Sequence, residues 1–152
     1  MYLSHERGFT LLEVMIAVFV LAIGLLGMAH LQITSLKHNQ TAEFRTQAAL
    51  LAADMLDRMR ANRDAAHNGN YAISLDSDPP ESTNSIADAD IVDWQNNIAT
   101  FLPNGDGEIA CTAFTINTEF ICDVTITWID TQNDGDDYDS RNTSTFTISG
   151  AI

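Results

Sequence analysis

The hydrophobic pattern of the chain runs in three successive rhythms. From Phe9 to Leu31 nearly every position is apolar, and from Val14 to Leu36 no residue carries a formal charge. A helix that is apolar all round has no face for water, so it belongs in lipid or wholly inside protein. Residues 9–31 would span roughly 35 Å as a helix, enough to cross a hydrocarbon core. Further on, Ile33, Leu36, Phe44, Ala48, Leu51, Met55 and Met59 recur at steps of mostly three or four, broken by Gln40. Lys37, Glu43, Arg45, Asp54, Asp57, Arg58 and Arg60 fill the other positions. That spacing predicts an amphipathic continuation over 32–63, with one stripe in need of a partner. No proline precedes Pro79. A single helix over 9–62 is therefore expected, with nothing to break it.

The third rhythm has a period of two. Residues 64–87 are rich in Asp, Asn, Ser and Pro, and Ser74–Ser85, with Pro79-Pro80, reads as an exposed loop. Asp88–Leu102 reads as a second helix, capped by Asp88 or Asp90, with Ile91, Trp94, Ile98 and Phe101 or Leu102 on one face. Trp94 is assigned to core packing rather than to a sugar-binding platform. Pro103 and Asn104-Gly-Asp-Gly107 stop that helix. Then Ile109, Cys111 and Ala113 alternate with polar residues, and so do Phe120, Cys122, Val124, Ile126 and Trp128. If residues 111 and 122 face each other in a hairpin, 109 meets 124 and 113 meets 120. Every one of these apolar residues then falls on one face, with a turn near Asn117 and Thr118. Thr145–Ile152 is a third strand. The expected fold class is α+β: a small antiparallel sheet and one short helix packed on the stripe of the long helix.

Charge divides the chain into two regimes. The 152 residues carry a net charge of −14. Residues 1–63 hold six basic and five acidic residues, net +1, whereas 64–152 hold one basic residue (Arg141) and sixteen acidic ones, net −15. An acidic head of this kind disfavours direct contact with nucleic-acid phosphates. Arg7 before the apolar run favours a cytoplasmic start, which puts the head on the outer side of the membrane. There Cys111 and Cys122 pair; in a reducing compartment they would be two buried thiols. An ordinary secretory signal expects a short apolar core and an A-x-A-like cut site after it, and this chain has neither.

Glu13 is the anomaly of the apolar run. A carboxylate four residues into a lipid-facing helix costs a few kcal/mol unless it is paired or reaches the surface. Here the residues become specific. Arg7-Gly8-Phe9-Thr10-Leu11-Leu12-Glu13 resembles the class III signal of type IV prepilins and pseudopilins. The resemblance implies cleavage between Gly8 and Phe9 by the prepilin peptidase and N-methylation of Phe9. It also implies that Glu13 pairs with the N-terminal amine of a neighbouring subunit.

Gly24-Leu-Leu-Gly-Met-Ala-His-Leu-Gln32, Asp57-Arg-Met-Arg-Ala-Asn62, Tyr71, Asp93-Trp94 and Leu102-Pro103-Asn104-Gly105 resemble the type IV pilus modification proteins, a group of V-type minor pilins. That group often has Pro after the Asn; here the residue is Arg63. The resemblance implies a leader (1–8), a transmembrane segment (9–31), the helical continuation (32–63) and an acidic head (64–152). The implied role is initiating or modifying type IV pilus assembly. The implied partners are other minor pilins, the major pilin, the prepilin peptidase and the inner membrane, followed by display in the pilus on the cell surface. A minor pseudopilin of a type II secretion system is the alternative; a filament-displayed adhesin or DNA-uptake subunit is another. No direct nucleic-acid partner is expected.

Enzyme chemistry and cofactors are not expected. His5, His30, His38 and His67 lack ligand spacing with the cysteines, and there is no G-x-S-x-G elbow or phosphate-cradling loop. The loop from Asp130 to Asp139, with Asp134 and Asp136 about a glycine, offers a calcium candidate. Against it, the twelfth position counted from Asp130 is Arg141 where an EF-hand needs an acid, and a solvated acidic loop is the favoured reading. Asn142-Thr-Ser144 matches a glycosylation acceptor by a motif too short to carry weight.

Overall fold

A computed structural model describes residues 8–113, 120–130 and 143–152 of the chain. The chain divides into two compact units, one ending at Asn39 and the other running from Gln40 to Ile152. One helix, α1, covers Leu11–Ala61 without a break, as the absence of proline and the change from all-round to one-sided apolarity predict. In the first unit its apolar side chains are exposed all round: Leu12, Phe19, Leu26 and Leu31 are each more than 60% accessible.

The second unit contains the rest of α1, a short helix α2 (Arg63–His67), α3 (Ile86–Phe101) and three strands: β1 (Asp106–Ala113), β2 (Phe120–Ile129) and β3 (Thr143–Ala151). The sheet is antiparallel in the order β1-β2-β3. Its register is the one expected from setting Cys111 opposite Cys122, with Ile109 opposite Val124 and Ala113 opposite Phe120. Ile109, Cys122, Val124, Ile126 and Trp128 are accordingly buried on one face. The turn expected near Asn117 and Thr118 lies outside the described residues.

The stripe of α1 enters this core at Phe44 and Leu51, which are partly buried, and at Ala48, Ala52, Met55, Leu56 and Met59, which are fully buried. Ile33 and Leu36, expected on the same stripe, remain exposed in the first unit. Ala52 and Leu56 widen the buried band beyond a narrow three-four seam, because a helix lying on a sheet and a second helix is covered on more than one side.

Helix α3 begins two residues before the expected start. Neither Asp88 nor Asp90 is its cap. Ser85 is: its hydroxyl accepts from the Asp88 N–H at 3.0 Å, and the Asp88 carboxylate accepts from the Ser85 N–H at 3.3 Å. A hydroxyl three residues ahead of an acid satisfies two orphan donors reciprocally, which an aspartate cap alone does not. Trp94, fully buried on α3, donates its indole N–H to the Leu51 carbonyl at 3.0 Å and so joins α3 to α1. The close approach of α3 to β1 requires Gly107, where an added Cβ would run into the Trp94 ring.

Candidate functional site

The N-terminal stretch holds three of the residues singled out in the sequence. Gly8 and Phe9 precede α1, and Phe9 is 82% exposed. Among the described residues, a Cβ added at Gly8 would meet nothing within 4 Å. Glu13 lies in the first turn of α1. Its backbone N–H bonds both the carbonyl of Thr10 at 3.1 Å and the Thr10 hydroxyl at 3.3 Å. Thr10 thus takes up a donor that the first turn would otherwise leave open. Together these residues form an accessible junction followed at once by a capped helix with a carboxylate in its first turn.

The second cluster ties α1 to α3. Arg58 reaches Asp54 at 2.8 Å, Asp93 at 2.7 Å and Asp90 at 3.4 Å. Burial works against the charge on Arg58, but its hydrogen bond to Asp93 and the fields of Asp54 and Asp93 outweigh it and hold the guanidinium above its ordinary pKa. Tyr71, fully buried, donates its hydroxyl to Asp90 at 2.7 Å and accepts from Asn62 Nδ2 at 3.1 Å. Burial first, then the bond to Asp90, pushes its phenol up to about 12. Arg60 binds Asp57 at 2.8 Å and donates to the carbonyl of Ala151 at 3.3 Å, next to the end of β3.

Sequence reasoning used Asn62, Tyr71 and Asp93 only as marks of resemblance, and Arg58 also as a polar position of the amphipathic helix. The structure gives them physical work as a polar clasp at the C-terminal end of α1. The one signal for it in the sequence was the i, i+4 spacing of Asp54 and Arg58. Arg63 stands just past the end of α1 and opens α2, and Asn62 between them adopts φ −124° and ψ 53°, so the chain leaves α1 without a proline.

Cys111 and Cys122 form a disulfide across the paired strands β1 and β2. The calcium candidate is represented by Asp130 alone, which accepts from the Thr41 hydroxyl at 3.4 Å. Asp134 and Asp136 lie outside the described residues, as does Asn142. Among the described residues no three His, Cys, Asp or Glu side chains are placed to hold a metal ion. A cleft of about 680 Å³ lies between residues 70–80, α3 and β1, with Asp78, Asp88 and Glu108 in its wall. Among the described residues its lining includes neither a nucleophile paired with a base nor a cation.

The profile of the prokaryotic N-terminal methylation motif matches residues 3–29. No curated protein and no solved structure matches the chain significantly. The chain carries the methylation motif typical of the type IV pilin and pseudopilin superfamily, joined to a pilin-like α+β fold. Among the described residues one helix, α1, is long and apolar enough to form a single membrane-spanning segment.

Proposed function

We propose that this chain is a minor pilin: a subunit inserted in the inner membrane by α1, cut between Gly8 and Phe9, N-methylated at Phe9, and drawn into a type IV pilus to initiate or modify its assembly. The observation that carries the reading is the coincidence of the methylation motif with one carboxylate, Glu13, in the first turn of a helix that then carries no formal charge from Val14 to Leu36. Lipid penalises that carboxylate by a few kcal/mol, and a neighbouring subunit's amine at Phe9 relieves the penalty. Cleavage is therefore a step of assembly, since it creates the cation that Glu13 needs. Gly8 fits the same reading, because among the described residues nothing lies within 4 Å of a Cβ added there.

The leader lies on the cytoplasmic side and the acidic head on the periplasmic side. Partners are the prepilin peptidase, other minor pilins and the major pilin. The resemblance of these motifs to those of pilus modification proteins favours the pilus over the secretion pseudopilus, and Arg58, Asn62, Tyr71 and Asp93 within them all belong to the clasp.

Glu13→Ala tests the pairing. The variant is expected to be processed normally and to impair assembly when it is the sole copy in the cell. Normal piliation in that strain contradicts the pairing. Loss of protein secretion with pili intact, on deletion of the whole gene, would reassign the subunit to a secretion pseudopilus.

A further inference from the structure

The two edges of the sheet differ. On the outer side of β1, Ile109 donates to and accepts from Ile73, at 2.9 and 3.2 Å, and the carbonyl of Gly107 accepts from Gln95 Nε2 at 2.9 Å. Because Ile109 spends both backbone groups outward, its cross-strand pair with Val124 exchanges no bonds, and Val124 turns its own groups to Ile148. Alternation then points the N–H and C=O of Thr143, Thr145, Thr147, Ser149 and Ala151 away from β2, to the far edge. Of these, Ala151 has its carbonyl engaged by Arg60. Among the described residues no backbone hydrogen bond meets the outward groups of Thr143, Thr145, Thr147 or Ser149.

Exposed edges are ordinarily blunted by a charge, a proline, a bulge or a covering element. Residues 143–152 contain no charged side chain and no proline, and β3 pairs with β2 one to one over nine positions without a bulge. The core face of β3 is also unfinished. Phe146 and Ile148 are only partly buried, whereas Ile126 and Val124 beside them on β2 are fully buried.

A row of alternating donors and acceptors at strand spacing is complemented by another extended backbone, which is the chemistry of strand addition. Charge selects its source. The head from residue 64 onward carries −15, and Asp123 stands on the outer face of the sheet, bonded by Ser149. A second copy would bring the same sign of charge, whereas a basic segment is drawn in. We propose that β3 is a docking edge to which an extended, basic segment of a different protein subunit adds as a fourth strand. Apolar residues of that segment cover Phe146 and Ile148, and its lysines or arginines lie on the outer face. The proposal stands on the head alone and does not depend on the pilus reading.

Amide hydrogen exchange followed by NMR on the full chain in detergent micelles tests it, with a short peptide of alternating valine and lysine as the probe. The peptide is expected to slow exchange at the outward amides of Thr145 and Thr147 by roughly tenfold or more. A peptide of equal charge interrupted by prolines is expected to leave them unchanged. Thr147→Pro, whose lost N–H faces away from β2, is expected to keep the near-UV spectrum and abolish the slowing. Equal effects of the two peptides, or no slowing by the first, would overturn the proposal. So would concentration-dependent protection of these amides without any peptide, which would assign the edge to a second copy.

Discussion

Tyr71→Phe deletes a single oxygen, and the structure allows its cost to be worked out. The hydroxyl donates to the Asp90 carboxylate at 2.7 Å and accepts from Asn62 at 3.1 Å, and the residue is fully buried. A hydrogen bond to a charged acceptor contributes about 1.5–3 kcal/mol, and a neutral one about 1. Asp90 keeps Arg58 at 3.4 Å, and Asn62 is only partly buried, so neither partner is stranded entirely. A net loss of about 2 kcal/mol is expected, which lowers the melting temperature of a domain this size by roughly 5–10 °C. The near-UV signal of Trp94 and Trp128 in the detergent-solubilised full chain reports the second unit, because residues 8–39 contain no tryptophan.

The same phenol fixes a pH dependence. Its folded pKa is raised to about 12 from an ordinary 10.0, so the folded state favours the protonated form. That stabilisation is fully present below about pH 10 and is lost as the pH rises through about 12, a swing on the order of 3 kcal/mol. The phenylalanine variant lacks this titration. Its deficit relative to the parent chain therefore shrinks above about pH 10 and is gone by about pH 12. Equal stability of the two chains at neutral pH, or a deficit unchanged up to about pH 12, would refute the clasp.

The remaining predictions concern the head. Gly107→Ala places a Cβ against the Trp94 ring, 2.6 Å from Cζ3, and 2.8 Å from Ile98 Cδ1. Overpacking of this kind is expected to cost about 1–3 kcal/mol in urea unfolding, and an unchanged midpoint would show that α3 does not seat on β1 as described. Reducing the disulfide, or replacing Cys111 and Cys122 together by serine, is expected to remove about 2–3 kcal/mol by freeing a short loop in the unfolded chain. No change in midpoint would contradict a bridge that constrains the unfolded chain.

Elements whose residues repeat with a fixed period were legible in the sequence. Placing Cys111 opposite Cys122 set the strand register, and the strict alternation around them agreed, since a one-position slip would turn every apolar side chain outward. The long helix was legible because it lacks proline and its apolar pattern changes only once. What could not be read depends on contacts between distant segments. The bridge between Ile73 and Ile109 joins a single residue of a serine- and proline-rich loop to β1, and one residue has no period. Asp90 attracted notice as a helix cap, yet it serves as the acceptor for Tyr71 and Arg58, a role that exists only once α1 and α3 are packed. Ser85 went unnoticed because the acids after it offered a plausible cap. At the candidate assembly site, Gly8, Phe9 and Glu13 were legible together. The hydrogen bond from the Glu13 amide to the Thr10 hydroxyl shows how the helix start beside them is held.

The most direct measurement is the intact mass and N-terminal sequence of the chain recovered from the cell envelope. The account predicts a chain that begins at Phe9, with one methyl group on its α-amine and the disulfide between Cys111 and Cys122 intact. A chain that still begins at Met1, or one cut after the apolar run, would contradict it, because Glu13 would then have no amine at Phe9 to meet.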